Sequence, residues 1–101
     1  MTMDVLAVRG AEVLVASMPT GAWEPLRRDL VPLLRPASVK LQLELHSDLN
    51  GARALVVADP GWASTIEAEL RGELLRFLRL YPESAGALDT IVEKYSQMMA
   101  F

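Results

Sequence analysis

The stretch V-K-L-Q-L-E-L-H-S-D-L-N-G-A-R-A-L-V-V-A, residues 39–58, decides the predicted fold. In its first eight residues an apolar side chain alternates with a polar one. Such alternation is typical of a β-strand with one dry and one wet face. Residues 53–58 are predicted to form the returning strand, with D-L-N-G as the tight turn between the two.

The register of this predicted hairpin depends on the length of its loop. A two-residue Asn50-Gly51 turn leaves Leu55 on the wet face, whereas a three-residue loop beginning at Leu49 places Leu55 opposite Leu45 on the dry face. The longer loop also puts Gly51 at the left-handed position that glycine favours. Because a slip of one residue moves every side chain to the other face, burial favours the three-residue loop.

A second hairpin is predicted near the N-terminus. Residues 5–17 are rich in β-branched side chains and are interrupted by Arg9 and Gly10. Glycine supplies the positive φ that a tight turn needs. Both faces of these strands are largely apolar, which is typical of strands inside a sheet or beneath a partner.

Three helices are predicted elsewhere. The first covers residues 22–31, and Pro32 is expected to kink or end it before Pro36. The second begins at a capping box, with Ser64 as N-cap and Glu67 three residues later, or earlier at Asp59.

The second helix is expected to stop at Pro82, and a third follows it. The element order is therefore β-β-α-β-β-α-α. It predicts a single α+β domain over residues 1–101, a two-layer sandwich in which an antiparallel sheet of two hairpins carries helices mainly on one face.

The composition predicts a protein partner. The chain has 101 residues, of which 51% are hydrophobic, and a domain of this size has a thin core. Apolar surface that a small fold cannot bury usually lies against another protein, so we expect a homodimer. The net charge of −3, without any basic stripe, argues against nucleic-acid binding.

The same composition limits the chemistry and the location. Cysteine is absent, which excludes disulfides and thiol nucleophiles on this chain. No signal peptide begins the sequence, and no apolar run approaches the roughly 20 residues that span a bilayer. We therefore predict a cytoplasmic protein that does not enter a membrane.

No residue pattern predicts a catalytic, metal or cofactor site. His46 is the single histidine and could act as a base or ligand beside Glu44. A metal site generally needs three or four ligands, and alternating polar residues on a strand usually form a solvated face. The motifs G-x-S-x-G, G-x-G-x-x-G and G-x-x-x-x-G-K-[ST] are absent from the sequence.

Two sets of residues are candidates for binding. The last helix ends in a soft apolar cluster suited to a protein partner, formed by Tyr95, Met98, Met99 and Phe101. The same cluster could instead close the core of this chain. Trp23 and Trp62 stand beside turns at helix starts and could stack on a ligand, or serve as packing anchors.

In size, charge and predicted element order the chain resembles secretion chaperones and other dimeric adaptor modules, although no motif carries the resemblance. Our first hypothesis is an interaction module, whether adaptor, chaperone-like protein or regulatory subunit, that binds itself or another protein. The alternative is a small cofactor-independent enzyme or ligand-binding protein, with its pocket near Trp23 and Trp62.

Overall fold

A computed structural model describes residues 2–99, and these residues form an all-α fold. Its five helices are α1 (Met3–Ser17), α2 (Trp23–Leu34), α3 (Val39–Ala58), α4 (Ala63–Leu80) and α5 (Ala85–Met98). Short 3-10 helices, Pro60–Trp62 and Pro82–Ser84, lead into α4 and α5. Residues 2–99 contain no strand, so the predicted α+β sandwich is wrong, and the element order behind the chaperone resemblance is not observed.

The stretch predicted as the central hairpin is a single helix of 20 residues. The Ser38 hydroxyl caps it by accepting a hydrogen bond from the Leu41 amide at 3.2 Å. Leucine, lysine, glutamine and glutamate are all good helix formers, and they dominate the first half of the stretch. Gly51 lies inside the helix and lacks the positive φ that the predicted turn requires.

The alternating pattern arises here from two apolar stripes on opposite sides of α3. One stripe faces the remaining helices and consists of Leu41, Leu45, Leu49, Ala52 and Val56, spaced by three or four residues. Val39 and Leu43, which are one turn apart, lie on the other side. A strand with one dry face and a helix with two apolar stripes therefore produce the same local pattern.

The predicted N-terminal hairpin is also a helix, α1, which lies at the centre of the bundle. It packs mainly against α4 and α5, and also against α2. Eight of its 15 residues are buried, which explains why the sequence is largely apolar on more than one side. Gly10 supports the close approach of α1 to α4, since a Cβ placed there would lie only 2.9 Å from Cδ1 of Leu74.

The structure has helices where the sequence predicts the three helices, with different ends. Helix α2 continues through Pro32 as far as Leu34. Before α4, the Asp59 carboxylate accepts a hydrogen bond from the Gly61 amide at 2.9 Å. Asp59 thus caps the 3-10 helix that leads into α4, and Ser64 already lies within α4.

Long-range hydrogen bonds hold the helices around one hydrophobic core. The Asp29 carboxylate of α2 accepts bonds from Tyr95 and Lys94 of α5, and Nε of Arg53 in α3 donates to the Met18 carbonyl at 3.2 Å. Among the described residues, no helix combines the length and the apolar character needed to cross a bilayer.

Candidate functional site

Helix α3 covers the bundle with one face and exposes an uncharged face on its opposite side. This outer stripe consists of Val39, Leu43, Ser47, Asn50, Ala54 and Val57, all of them exposed. Val39, Leu43 and Val57 keep 72%, 66% and 53% of their surface accessible. A helix that is apolar on both faces is ordinarily covered on both, so the outer stripe is a candidate interaction surface.

A groove separates α3 from α4 on the adjoining side of α3. It contains two wells, of about 290 Å³ towards the end of α3 and about 270 Å³ towards its start. Beneath them lies an apolar cavity of about 40 Å³, walled by leucines of four helices together with Phe77. Glu73 of α4 borders the cavity and both wells, so it stands at the middle of the groove.

The groove is acidic along its rim. Burial raises the pKa of Glu73, and the negative charge and hydrogen bond of nearby Asp48 raise it further. Glu69 adds a smaller effect in the same direction, while Arg76 opposes it. The raised pKa of Glu73 means that its negative charge is poorly compensated within this chain.

The predicted partner-binding cluster is divided between the core and the surface. Tyr95 is fully buried, and its hydroxyl donates to Oδ2 of Asp29 at 2.6 Å. Met99 is half-buried against the core, whereas Met98 is exposed. Phe101 lies outside the described residues. Within the described part of the cluster, Met98 is the residue with a largely free side chain.

The two tryptophans occupy different environments. Trp23 keeps 1% of its surface accessible and packs in the core, whereas Trp62 keeps 44% in the 3-10 helix that follows α3. Neither side chain lines the groove or the cavity beneath it.

His46 does not lie beside Glu44, although the sequence pattern predicts that it does. Residues two apart share a face on a strand but not on a helix, so Glu44 points away from His46 in α3. Nδ1 of His46 is buried and has no hydrogen-bond partner among the described residues. Residues 2–99 also hold no group of three side chains suited to a metal ion.

A comparison of the chain with protein-family models, curated proteins and solved structures finds no significant match. The candidate functional surfaces of the chain are therefore the outer stripe of α3 and the groove between α3 and α4. The prediction from the sequence missed both surfaces, because its period of two residues hid the spacing of three and four that defines the stripes.

Proposed function

We propose that the protein is an interaction module that forms a homodimer through the outer stripe of α3, in the cytoplasm as the sequence predicts. The observation that carries this proposal is that α3 is apolar on two opposite faces and the chain itself covers one of them. Water contact with the second face costs free energy, which association removes.

The outer stripe is suited to pairing with its own copy. A two-fold dimer brings the same surface together from both subunits, so the surface must complement itself. In an antiparallel pair with its axis at Asn50, Leu43 lies seven residues before the axis and Val57 seven residues after it. Each Leu43 then packs against Val57 of the second copy.

The centre of the stripe supports the same arrangement. Ser47 and Ala54 are small and flank Asn50, which allows the two helices to approach closely. The Asn50 amide can both donate and accept, so it can bond to its counterpart at the axis. A polar residue within an apolar seam fixes the register of paired helices.

The ends of the stripe extend the contact. Trp62 follows the end of α3 and is 44% exposed. Val39, at the start of α3, is 72% exposed. In the antiparallel pair it comes near the end of α3 in the second copy. The stripe carries no charged residue, so the net charge of −3 adds no direct repulsion within this contact.

The test is the molecular mass in solution, measured by sedimentation equilibrium. We expect a dimer for the natural chain, and at least a roughly 100-fold weaker dimer after Leu43→Asp, because the aspartate would have to lose its water in the contact. Val31→Asp is the matched control, since Val31 is a partly exposed valine of α2 outside the stripe. The control should leave the mass unchanged.

A further readout checks that both variants keep their fold. Circular dichroism should show unchanged helix content in both variants, because both positions are exposed. A monomeric natural chain at high concentration contradicts the proposal, and so does a dimer that Leu43→Asp leaves intact.

A further inference from the structure

The groove between α3 and α4 has apolar residues in its floor and an exposed leucine at each end. Leu55 and Leu80 lie at opposite ends and are both exposed. Leu70 and Phe77 form part of the floor between them and are buried. Apolar side chains therefore occur along the whole groove, with polar side chains among them, beyond the outer stripe used in the proposed dimer.

The rim gives the groove a charge. Its lining contains four carboxylates and one guanidinium, those of Glu44, Asp48, Glu69, Glu73 and Arg76. An occupant with positive side chains next to an apolar surface complements this lining. Cations placed beside Glu73 and Asp48 also relieve the repulsion between these two carboxylates.

The length and the walls of the groove select a helix as the occupant. Along α3 the groove runs from Leu41 to Leu55, about 21 Å at 1.5 Å per residue, or about four helical turns. Both walls are formed by the middle segments of helices, where the backbone N–H and C=O groups are already hydrogen-bonded within the helix. They offer no partners to an extended peptide, whereas a helix satisfies its own backbone hydrogen bonds.

The cavity beneath the groove suits an apolar anchor of such a helix. Its volume is about 40 Å³, and the leucines around it leave it without polar partners apart from Glu73. A water molecule needs at least about 10–15 Å³ and two or more polar partners. The cavity therefore favours the end of one aliphatic side chain over water.

From these observations we infer that the groove between α3 and α4 binds a basic amphipathic helix of another protein. Leucine-like side chains of that helix lie along the floor, with one of them entering above the small cavity. Lysine or arginine side chains on its flanks meet the acidic rim. The groove adjoins the outer stripe, with which it shares Ser47, but its floor and acidic rim are formed by other residues. The proposed binding therefore does not depend on the dimer.

The experiment titrates the full chain with three peptides of about 15 residues, monitored by calorimetry. The first peptide has leucine and lysine at helical amphipathic spacing, the second has the same composition in a shuffled order, and the third replaces lysine by glutamate. We expect micromolar binding of the first peptide, at least about tenfold weaker binding of the second and none of the third. Added salt should weaken the binding of the first peptide.

Variants locate the binding. Glu69→Gln combined with Glu73→Gln should weaken the first peptide about tenfold, because it removes two rim charges. The matched control combines Asp4→Asn with Glu83→Gln, which removes the same net charge at exposed positions outside the groove. The control should change the affinity less than twofold. Leu80→Gln, at an exposed position, tests the apolar floor and should weaken binding without unfolding the chain.

Amide chemical shifts give an independent readout, and the changes should be confined to α3 and α4. Equal binding of the amphipathic and shuffled peptides overturns the inference, as do equal effects of the two double variants or shifts centred on other helices. The rim variants should keep the oligomeric state of the natural chain. The absence of peptide binding in the groove can thus be distinguished from the absence of a homodimer.

Discussion

The phenolic oxygen of Tyr95 lies 2.6 Å from Oδ2 of Asp29, and this hydrogen bond joins α5 to α2. Nζ of Lys94 approaches the same carboxylate oxygen at 2.9 Å. The Tyr95 bond is the largest cause that lowers the pKa of Asp29, followed by the bond from Lys94. Burial and the Asp29 carboxylate together raise the pKa of Tyr95. Tyr95 therefore stabilises the packing of α5 against α2 within this chain.

Replacing Tyr95 by phenylalanine tests this link. The change keeps the buried ring and removes the hydroxyl, so we expect a loss of about 1 kcal/mol in the free energy of unfolding at pH 7. Urea denaturation measures it. The lowered pKa of Asp29 means that its stabilising interaction is present above its ordinary value of 3.8 and is lost as the pH falls through the lowered value. The difference in the free energy of unfolding between the natural chain and Tyr95→Phe should accordingly narrow as the pH falls below 3.8 through the lowered pKa of Asp29. A difference that stays constant over this pH range would contradict the assignment.

Gly51→Ala distinguishes the helix from the predicted hairpin. In α3 a Cβ at this position meets no atom within 4 Å, so alanine should stabilise the protein by about 0.5–1 kcal/mol through helix propensity. In a hairpin with Gly51 in the left-handed conformation the same change would destabilise. Thermal melting measures the effect. Gly72→Ala on α4 is the matched control, because a Cβ at Gly72 also meets no atom within 4 Å.

Glu73→Gln tests the electrostatics of the groove through pH. Because the pKa of Glu73 is raised above its ordinary value of 4.5, the natural chain loses stability as the pH rises from that value through the raised one. Glutamine has no such ionisation. We expect the two chains to be equally stable near pH 3 and the variant to be more stable at pH 7, by no more than about 0.5 kcal/mol because solvent screens a half-exposed charge. A variant that is less stable at pH 7 would show that the carboxylate is stabilised in the groove.

Arg53→Met tests how α3 is attached. Nε of Arg53 donates to the Met18 carbonyl at 3.2 Å and so ties α3 to the end of α1. Its loss should speed amide hydrogen exchange across α3 while leaving α1 and α4 protected, since α3 approaches the other helices least. Arg28→Met removes the same charge from an exposed position of α2 and should leave amide hydrogen exchange in α3 unchanged. Faster exchange in both variants would mean that charge, not the bond, is responsible.

The sequence predicted the later helices because their signals are local. Pro82 ends the α4 pattern, and the side chain of Asp59 next to Pro60 marks the start of the helical segment, through contacts within a few residues. The same local signals failed for α1 and α3. Residues 39–46 fit a strand with one dry face and a helix with two apolar stripes equally well.

The sequence by itself determined the amount of apolar surface, the absence of cysteine chemistry and the positions of the later helices. Only the tertiary structure decided that α1 lies at the centre of a helical bundle, that α3 presents an uncovered stripe, and that Glu73 stands in a groove between α3 and α4. The physical reason is that propensities and caps act over one or two turns. Burial depends on contacts between distant segments, such as Gly10 with Leu74, which no short stretch of sequence contains.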